Sequence, residues 1–342
     1  MSEYNIANNA DVFSVDKTRT APWICRDDSG NYWTIFQNTS QNIDIYKSTN
    51  LGVTWTLMKT LTSADFTSLT MPIDNFNIVN LTGQNKVYIM LYKTTQKVWG
   101  WKINTLTNSG SVDLDNVLAG NSGTGHATAI RWDSYNNKLY LMWGATSNMW
   151  GFYSEIPLNG TLSAFVNPTF TYTNQRAYGF NIDNQGRKLF AAVATSGVQS
   201  MLYRGITSFT KIDVAVDNVD FVSVLADYNG QGIYCYVNGG VIHLYKANLA
   251  FTAWELSNYY FTLAGGAICT SAYFALDGLN NVYVIYTSST DGESYSAKFD
   301  ITSAVWGTST QISSNNDGLQ VSCELASPLA SNTILTTYQA TV

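Results

Sequence analysis

With 342 residues, a net charge of −6 and a pI near 4.8, the chain has no basic stripe that would neutralise a phosphate backbone, so nucleic acid is excluded as an expected partner. Hydrophobic residues make up 45% of the chain and charged residues only 12%, which predicts a large core under a neutral, polar surface. No apolar stretch reaches the roughly 18 residues of a membrane-spanning helix. The N-terminus also lacks the features of an export signal, so we expect neither membrane insertion nor a signal peptide.

One hairpin pattern recurs along the chain: an apolar strand, a polar turn with Asp, Asn or Gly, and a strand that opens on an aromatic residue. Seven copies, spaced by about 50 residues, align on Trp33, Tyr88, Tyr140, Phe190, Tyr234, Tyr283 and Ile334. A third strand then ends near a basic residue, as at Lys47, Lys102, Arg204 and Lys246. A fourth strand follows. Such a period is typical of the blades of a β-propeller.

The repeats predict an all-β chain, a single seven-bladed β-propeller over residues 1–342 with four-stranded antiparallel blades. The blades are expected near residues 20–62, 72–118, 124–172, 176–216, 219–260, 266–313 and 318–342. The last copy ends after two strands, and residues 4–16 match the third and fourth strands of the copy at 245–257. We therefore expect residues 3–17 to complete the seventh blade and close the ring.

The stretch STNLGVTW, from Ser48 to Trp55, joins a third strand to a fourth. It resembles the Asp-box, S/T-x-D-x-G-x-T-W, of the bacterial neuraminidase repeat and of sialidase-like propellers, with Asn50 in the place of Asp. The resemblance implies a propeller fold and a structural role for Ser48, Asn50, Gly52 and Trp55 in a capped, tight turn. The equivalent stretches ANLAFTAW and DITSAVW keep little beyond the aromatic residue.

A sialidase site needs several arginines around a substrate carboxylate, but only Arg19 and Arg176 of the six arginines enter the predicted ligand face. Sialidase activity is therefore not expected. Glycoside hydrolase or lyase chemistry by a carboxylate pair stays open, although solvated loop residues explain the same acids. The acids are Asp74, Asp217, Asp220, Asp291, Glu293 and Asp317. The four cysteines and two histidines show no metal-ligand spacing, so no metal or other cofactor is expected.

Neutral polar side chains interleaved with aromatic ones suit carbohydrate, because a ring stacks on a sugar while amides and hydroxyls satisfy its hydroxyl groups. The candidate ligand-binding residues are Trp99, His126, Trp150, Arg176, Tyr178 and Asp220. Packing between blades explains the aromatic residues equally well, and His126 has an alternative as an ordinary loop histidine. His243 lies within a third strand, where the sequence indicates no partner for it.

A charge-poor composition rich in Asn, Thr, Ser and Tyr, without a secretion signal, predicts a non-enzymatic virion surface, spike or tail protein. On this hypothesis the chain is located on the virion or outside the cell. Its partners are a host surface glycan or protein receptor and other virion proteins. A propeller hydrolase or lyase, and a purely structural assembly propeller, remain as alternatives.

Overall fold

The computed structural model describes residues 23–67, 69–93, 97–118, 125–145, 149–155, 163–164, 175–194, 200–205, 209–214, 221–263, 269–312, 320–323 and 336–339. In these ranges the chain consists of strands and turns, with a single 3-10 turn at Ser63–Asp65. This all-β character is what the composition predicts. None of the helical structure in the described ranges is long and apolar enough to cross a membrane.

The strands form successive antiparallel sheets. The first contains β1 (Ile24–Arg26), β2 (Tyr32–Gln37), β3 (Ile43–Ser48) and β4 (Thr56–Leu61), and the second β5 (Asn75–Leu81), β6 (Lys86–Lys93), β7 (Lys97–Asn104) and β8 (Gly110–Leu118). The third contains β9 (Gly125–Asp133), β10 (Lys138–Ala145), β11 (Met149–Glu155) and β12 (Ser163–Ala164), and the fourth β13 (Gln175–Ile182), β14 (Lys188–Ala194), β15 (Ser200–Gly205) and β16 (Phe209–Val214).

The remaining sheets follow in the same order along the chain. The fifth contains β17 (Phe221–Ala226), β18 (Gly232–Asn238), β19 (Val241–Ala247) and β20 (Trp254–Thr262). The sixth contains β21 (Cys269–Leu276), β22 (Val282–Ser288), β23 (Ser294–Asp300), β24 (Val305–Trp306) and β25 (Thr310–Gln311). The last contains β26 (Gln320–Cys323) and β27 (Thr336–Gln339).

The first strand of each sheet lies at the centre of the molecule. It contacts the first strand of the next sheet along the chain, and β26 contacts β1. Apolar side chains fill the space between neighbouring sheets, as Ile35 and Ile45 of the first sheet do with Ile78 and Ile89 of the second. The sheets are therefore blades packed around a central axis, which is the arrangement of a β-propeller.

The prediction of seven four-stranded blades is wrong, because in the described part of the chain only five of the sheets have four strands. The sixth has five, since the chain leaves the sheet near Gly307 and divides the outer edge into β24 and β25, which both pair with β23. In the described part of the chain, the last sheet contains β26 and β27 alone. The predicted closure by N-terminal strands is also wrong, because within the described ranges the last sheet meets the first at β26 and β1 and contains no N-terminal strand. Residues 3–17 lie outside the described residues.

The connections between strands alternate between two faces of the molecule, because neighbouring strands are antiparallel. The turns from first to second strand and from third to fourth strand share one face, which we call the turn face. The connections from second to third strand and those between sheets share the other, which we call the loop face. A site on the loop face can thus be formed by the ends of second and fourth strands and by the beginnings of first and third strands.

A buried aspartate organises the first turn of five sheets. The five are Asp27, Asp133, Asp183, Asp227 and Asp277, which are between 1% and 5% exposed. Each accepts two main-chain N–H groups of its own turn through one carboxylate oxygen, as Asp27 does from Ser29 at 3.0 Å and from Asn31 at 2.8 Å. Aspartate favours such turns because its short side chain bonds the nearby backbone.

Neighbouring turns are joined by hydrogen bonds across the turn face. Asp28 accepts the N–H of Gly83 at 2.9 Å, which links the first sheet to the second. The Asn184 amide donates to the Tyr228 carbonyl at 2.6 Å, and the Tyr228 N–H donates to Asn280 at 2.9 Å, which links the fourth, fifth and sixth sheets. These contacts fix the relative positions of the blades at the turn face.

The loop from Ser48 to Trp55 folds around Asn50. Its Oδ1 accepts the N–H of Thr54 at 2.9 Å, and its Nδ2 donates to the Thr54 hydroxyl at 2.9 Å. Ser48 Oγ accepts the N–H of Gly52 at 2.9 Å, and Trp55 Nε1 donates to the Gly52 carbonyl at 2.9 Å. Gly52 has φ +84°, in the left-handed region that favours glycine. The loop is therefore held by the four residues that the sequence singled out.

A second loop of this kind joins β19 to β20. It lies in the stretch ANLAFTAW, which keeps little of the Asp-box sequence beyond the aromatic residue. Asn248 Oδ1 accepts the N–H of Thr252 at 2.9 Å, and its Nδ2 donates to the Thr252 hydroxyl at 3.1 Å. Ala250 stands where the first loop has its glycine, which hid the likeness. The shared feature is an asparagine with a threonine four residues later.

Replacing Asn248 with alanine should lower the free energy of unfolding by about 1 kcal/mol, because Thr252 loses both bonds in a loop that water partly reaches. Urea unfolding followed by tryptophan fluorescence would measure the loss, and Asn50→Ala should lose a similar amount. Leu249→Ala, at an exposed leucine of the same loop, serves as the control and should leave stability unchanged. Equal stability of all three variants and the parent would show that the asparagines do not hold these loops.

Candidate ligand-binding site

Three blades carry a similar set of residues at the loop face, one from each of the second, third and outer strands. We call each set a row. The rows are Phe36, Asp44 and Thr60 in the first sheet, Tyr236, His243 and Tyr260 in the fifth, and Tyr286, Tyr295 and Gln311 in the sixth. In each row the second-strand member is aromatic and follows the buried turn aspartate by nine residues. The rows are therefore equivalent positions of the repeat.

The fifth-sheet row holds a histidine between an aromatic ring and an amide. The rings of Tyr236 and His243 are stacked, with centroids 4.5 Å apart and planes at 8°. His243 Nδ1 lies 2.8 Å from Asn258 Oδ1. Since an amide oxygen can only accept, Nδ1 donates in this bond, and Nε2 lies on the other edge of the ring. The position of His243 is thus fixed by its neighbours.

Asn258 reaches the row because β20 is irregular. The register between β19 and β20 shifts between Leu244 and Lys246, and Asn258 has φ +56°, a conformation that asparagine adopts more readily than most residues. The pKa of Tyr236, behind the histidine, is raised mainly by burial and also by a hydrogen bond with Tyr245. This phenol therefore stays neutral. The row therefore holds the imidazole in a fixed position.

Tyr260 presents its ring to solvent at the outer end of this row and is 65% exposed. The preceding residue, Tyr259, points to the other side of the strand, where its ring lies 5.5 Å from that of Phe299 in the core. The bond between His243 and Asn258 is the one side-chain hydrogen bond that either of them, or Tyr260, makes within the described ranges. The row thus combines an exposed ring with polar atoms that are available to a ligand.

The other two rows are closed by their own hydrogen bonds. In the sixth sheet the Tyr295 hydroxyl donates to Asp291 at 2.5 Å, which lowers the pKa of Asp291 and raises the pKa of Tyr295 to about 12. In the first sheet the Thr60 hydroxyl donates to Asp44 at 2.6 Å. Among the described rows, the fifth-sheet row is consequently the best candidate for a ligand site.

The sequence-predicted residues fall at different places in the fold. Trp99 is 1% exposed in the core between the first two sheets, where its Nε1 donates to the Thr67 carbonyl at 3.3 Å. Trp150 lies in β11 opposite Trp143, at the position in the third sheet that corresponds to the rows. Sequence periodicity places both tryptophans on strands but does not tell a core position from a row position.

The other candidates lie on first strands or outside the described ranges. His126 lies in β9 opposite Gly144. Arg176 and Tyr178 lie in β13, where the register is irregular between positions 177 and 179. Asp220 lies outside the described residues. None of the six predicted residues belongs to the fifth-sheet row, whose members the sequence did not single out.

The acidic loop residues are only partly described, because Asp217, Asp220 and Asp317 fall outside the described ranges. Asp291 is exposed and Glu293 is buried, both in the loop that joins β22 to β23. Within the described residues, no three His, Cys, Asp or Glu side chains are placed to hold a metal ion. The described part of this face therefore offers uncharged donors and acceptors together with carboxylates.

No family model matches the sequence, and no curated protein sequence matches it. Among solved structures, virginiamycin B lyase from Staphylococcus aureus has a TM-score of 0.58 at 11% identity, covering 94% of this chain and 92% of that one. A mutant of the Aleuria aurantia lectin in complex with alpha-methyl-L-fucoside has a TM-score of 0.55 at 11% identity, with coverages of 85% and 95%. A mutant of AofleA from Arthrobotrys oligospora has a TM-score of 0.51 at 10% identity, with coverages of 87% and 89%. These likenesses concern the architecture, and the chain has the β-propeller fold.

Proposed function

We propose that the chain is a carbohydrate-binding propeller at the surface of a virus particle, as a spike or tail protein, and that it binds a host glycan at the fifth-sheet row. The proposal is carried by the exposed ring of Tyr260 beside His243 and Asn258. An aromatic ring stacks on the apolar face of a sugar, and the imidazole and amide bond its hydroxyl groups. The fucoside complex of the similar Aleuria aurantia lectin supports carbohydrate binding on this architecture.

The role at a particle surface is supported by the composition, with only 12% charged residues and a surface of neutral polar side chains. Many copies on one particle would add up weak individual contacts. Exposed leucines at the turn face, among them Leu51, Leu106, Leu249 and Leu279, support attachment to other virion proteins by that face. The loop around Asn50 supports a distant place among the sialidase-like propellers, with a structural role for the loop.

Catalysis by a hydrolase or lyase would require a carboxylic acid that keeps its proton near neutral pH. The pKa shift of Asp291, at the loop face, points the other way. Its hydrogen bonds, first of all the one from the Tyr295 hydroxyl, lower its pKa. This favours binding over turnover at Asp291.

Replacing Tyr260 with alanine should weaken glycan binding by about tenfold or more, because the stacking surface for the sugar is lost. Binding of the purified chain to a broad array of host surface glycans, followed by titration of the best ligand, would measure the effect. The same array would reveal turnover as loss of the printed glycan.

Tyr135→Ala is the matched control for that change. Tyr135 is 67% exposed, much like Tyr260, but it lies at a turn on the opposite face, so its removal should leave binding unchanged. Both variants should unfold at the parent temperature, because exposed side chains contribute little to stability. Equal binding of glycan by Tyr260→Ala and by the parent would show that the fifth-sheet row is not the binding site. Cleavage of the bound glycan would show that the chain is an enzyme and not a binding protein.

A further inference from the structure

We infer that the fifth-sheet row selects neutral sugars through two neighbouring hydroxyl groups, one donating to His243 Nε2 and the other accepting from Asn258 Nδ2. The inference rests on the proposed function and specifies the ligand class and the contacts of the same site. It makes Asn258, together with His243, a specificity-determining residue.

The hydrogen bond between the two side chains determines which atoms remain for a ligand. Asn258 Oδ1 accepts from His243 Nδ1 at 2.8 Å, so the amide keeps its two N–H donors, and the Nδ1–H tautomer of the imidazole keeps Nε2 as an acceptor. Because one hydrogen bond joins the two groups, their remaining polar atoms belong to one connected pair of side chains. A hydroxyl group both donates and accepts, so two adjacent hydroxyls of a sugar satisfy such a donor and acceptor together.

The pair is also held rigidly, which favours selection among similar sugars. The imidazole is stacked on Tyr236 at 4.5 Å, and Tyr236 is itself buried. The backbone of Asn258 is set by the register shift between β19 and β20. A preorganised donor and acceptor lose little conformational entropy on binding, so a sugar with a missing hydroxyl leaves one of them unpaired at a net cost.

The row contains no lysine or arginine, which argues for a neutral ligand. A carboxylated sugar is usually recognised by a guanidinium or ammonium group, and none belongs to Tyr236, His243, Asn258 and Tyr260. The basic residues of the third strands lie towards the turn face and contact acids or amides there. Lys47 lies 2.8 Å from Asn108, Lys102 2.8 Å from Asp113, and Lys246 3.5 Å from Asp227.

The test compares printed neutral glycans, their monodeoxy analogues and their sialylated or uronic acid counterparts on the parent and on two variants. Asn258→Asp keeps an oxygen for His243 Nδ1 but replaces the amide donor by an acceptor. His243→Phe keeps a ring against Tyr236 but removes Nε2. Each variant should bind neutral glycans about tenfold more weakly than the parent, as expected for the loss of one hydrogen bond that leaves its partner unpaired.

The deoxy analogues identify the contact made by each residue. The analogue that lacks the hydroxyl bonded to Asn258 should bind the parent about tenfold more weakly than the full glycan does, and Asn258→Asp should not weaken its binding further. The analogue that lacks the adjacent hydroxyl should show the same relation to His243→Phe. Acidic glycans should not be retained. Unchanged melting temperatures show that both variants are folded.

Two outcomes overturn this inference while leaving the proposed function intact. One is neutral-glycan binding that Tyr260→Ala abolishes but that neither Asn258→Asp nor His243→Phe affects. The other is binding, sensitive to Tyr260→Ala, that prefers the acidic glycans. Failure of the parent to bind any glycan overturns both the inference and the proposed function.

Discussion

Asp27→Ala should lower the free energy of unfolding by about 3 kcal/mol. The carboxylate of Asp27 accepts the N–H groups of Ser29 and Asn31 through Oδ1, and the side chains of Asn31, at 3.0 Å, and Trp33, at 2.8 Å, through Oδ2. Trp33 is fully buried, so water cannot replace the acceptor that its indole N–H would lose. Urea unfolding followed by circular dichroism would measure the change.

Two further aspartate variants make this result specific. Asp27→Asn keeps one oxygen for the main chain but turns a donor towards Trp33. Its free energy of unfolding should therefore lie between those of Asp27→Ala and the parent. Asp300 also accepts two N–H groups of a turn, at 2.9 Å from Thr302 and Ser303, but it is only partly buried, and its loss should matter much less. If Asp300→Ala destabilised the chain as much as Asp27→Ala, burial of the turn aspartates would not be what makes them important.

Gly100→Ala should be comparably damaging, again by about 3 kcal/mol. A Cβ atom at position 100 would lie 1.8 Å from the hydroxyl oxygen of Tyr88 and 2.6 Å from its Cζ. The Tyr88 ring has no room to move, because it is buried in the core between the second and third sheets. Its hydroxyl also donates to Asp113, which accepts Lys102 Nζ at 2.8 Å.

Gly307→Ala is the control, because its nearest neighbour would be the Lys298 carbonyl at an ordinary 3.4 Å. Thermal unfolding of the two variants beside the parent would distinguish a steric effect at position 100 from a general intolerance of alanine for glycine. Equal melting temperatures of Gly100→Ala and the parent would contradict the close packing of Tyr88 against β7.

The repeat was readable from the sequence where local chemistry decides the structure. Polar turns such as that of Asp27 follow from the preference of Asp and Gly for tight turns, and the structure has a hairpin at each of five such aspartates. The number of strands in each sheet was not readable, because the pairing of β24 and β25 depends on where the chain leaves the sheet near Gly307. The second asparagine loop was missed because it keeps Asn248 and Thr252 but not the glycine of the motif.

The candidate site was harder to predict, since it depends on register between strands. His243 has its partner 15 residues away in Asn258, and an irregularity in β20 brings the two together. One signal was present in the sequence: in the tyrosine pair at 259 and 260, alternation along a strand requires one ring to face away from the core. Trp99 illustrates the converse, because an aromatic residue near a strand end looks the same in sequence whether it is buried or exposed.

The contact between β26 and β1 also has a kinetic meaning. Each sheet is built from strands that are consecutive in the chain, so most pairing is local and forms early during synthesis. The junction of the last sheet with the first joins distant parts of the chain and has to wait until β26 has been made. Until then the first sheet has a flank without its neighbour, and this flank is where a nascent chain is most open to chaperones and to aggregation.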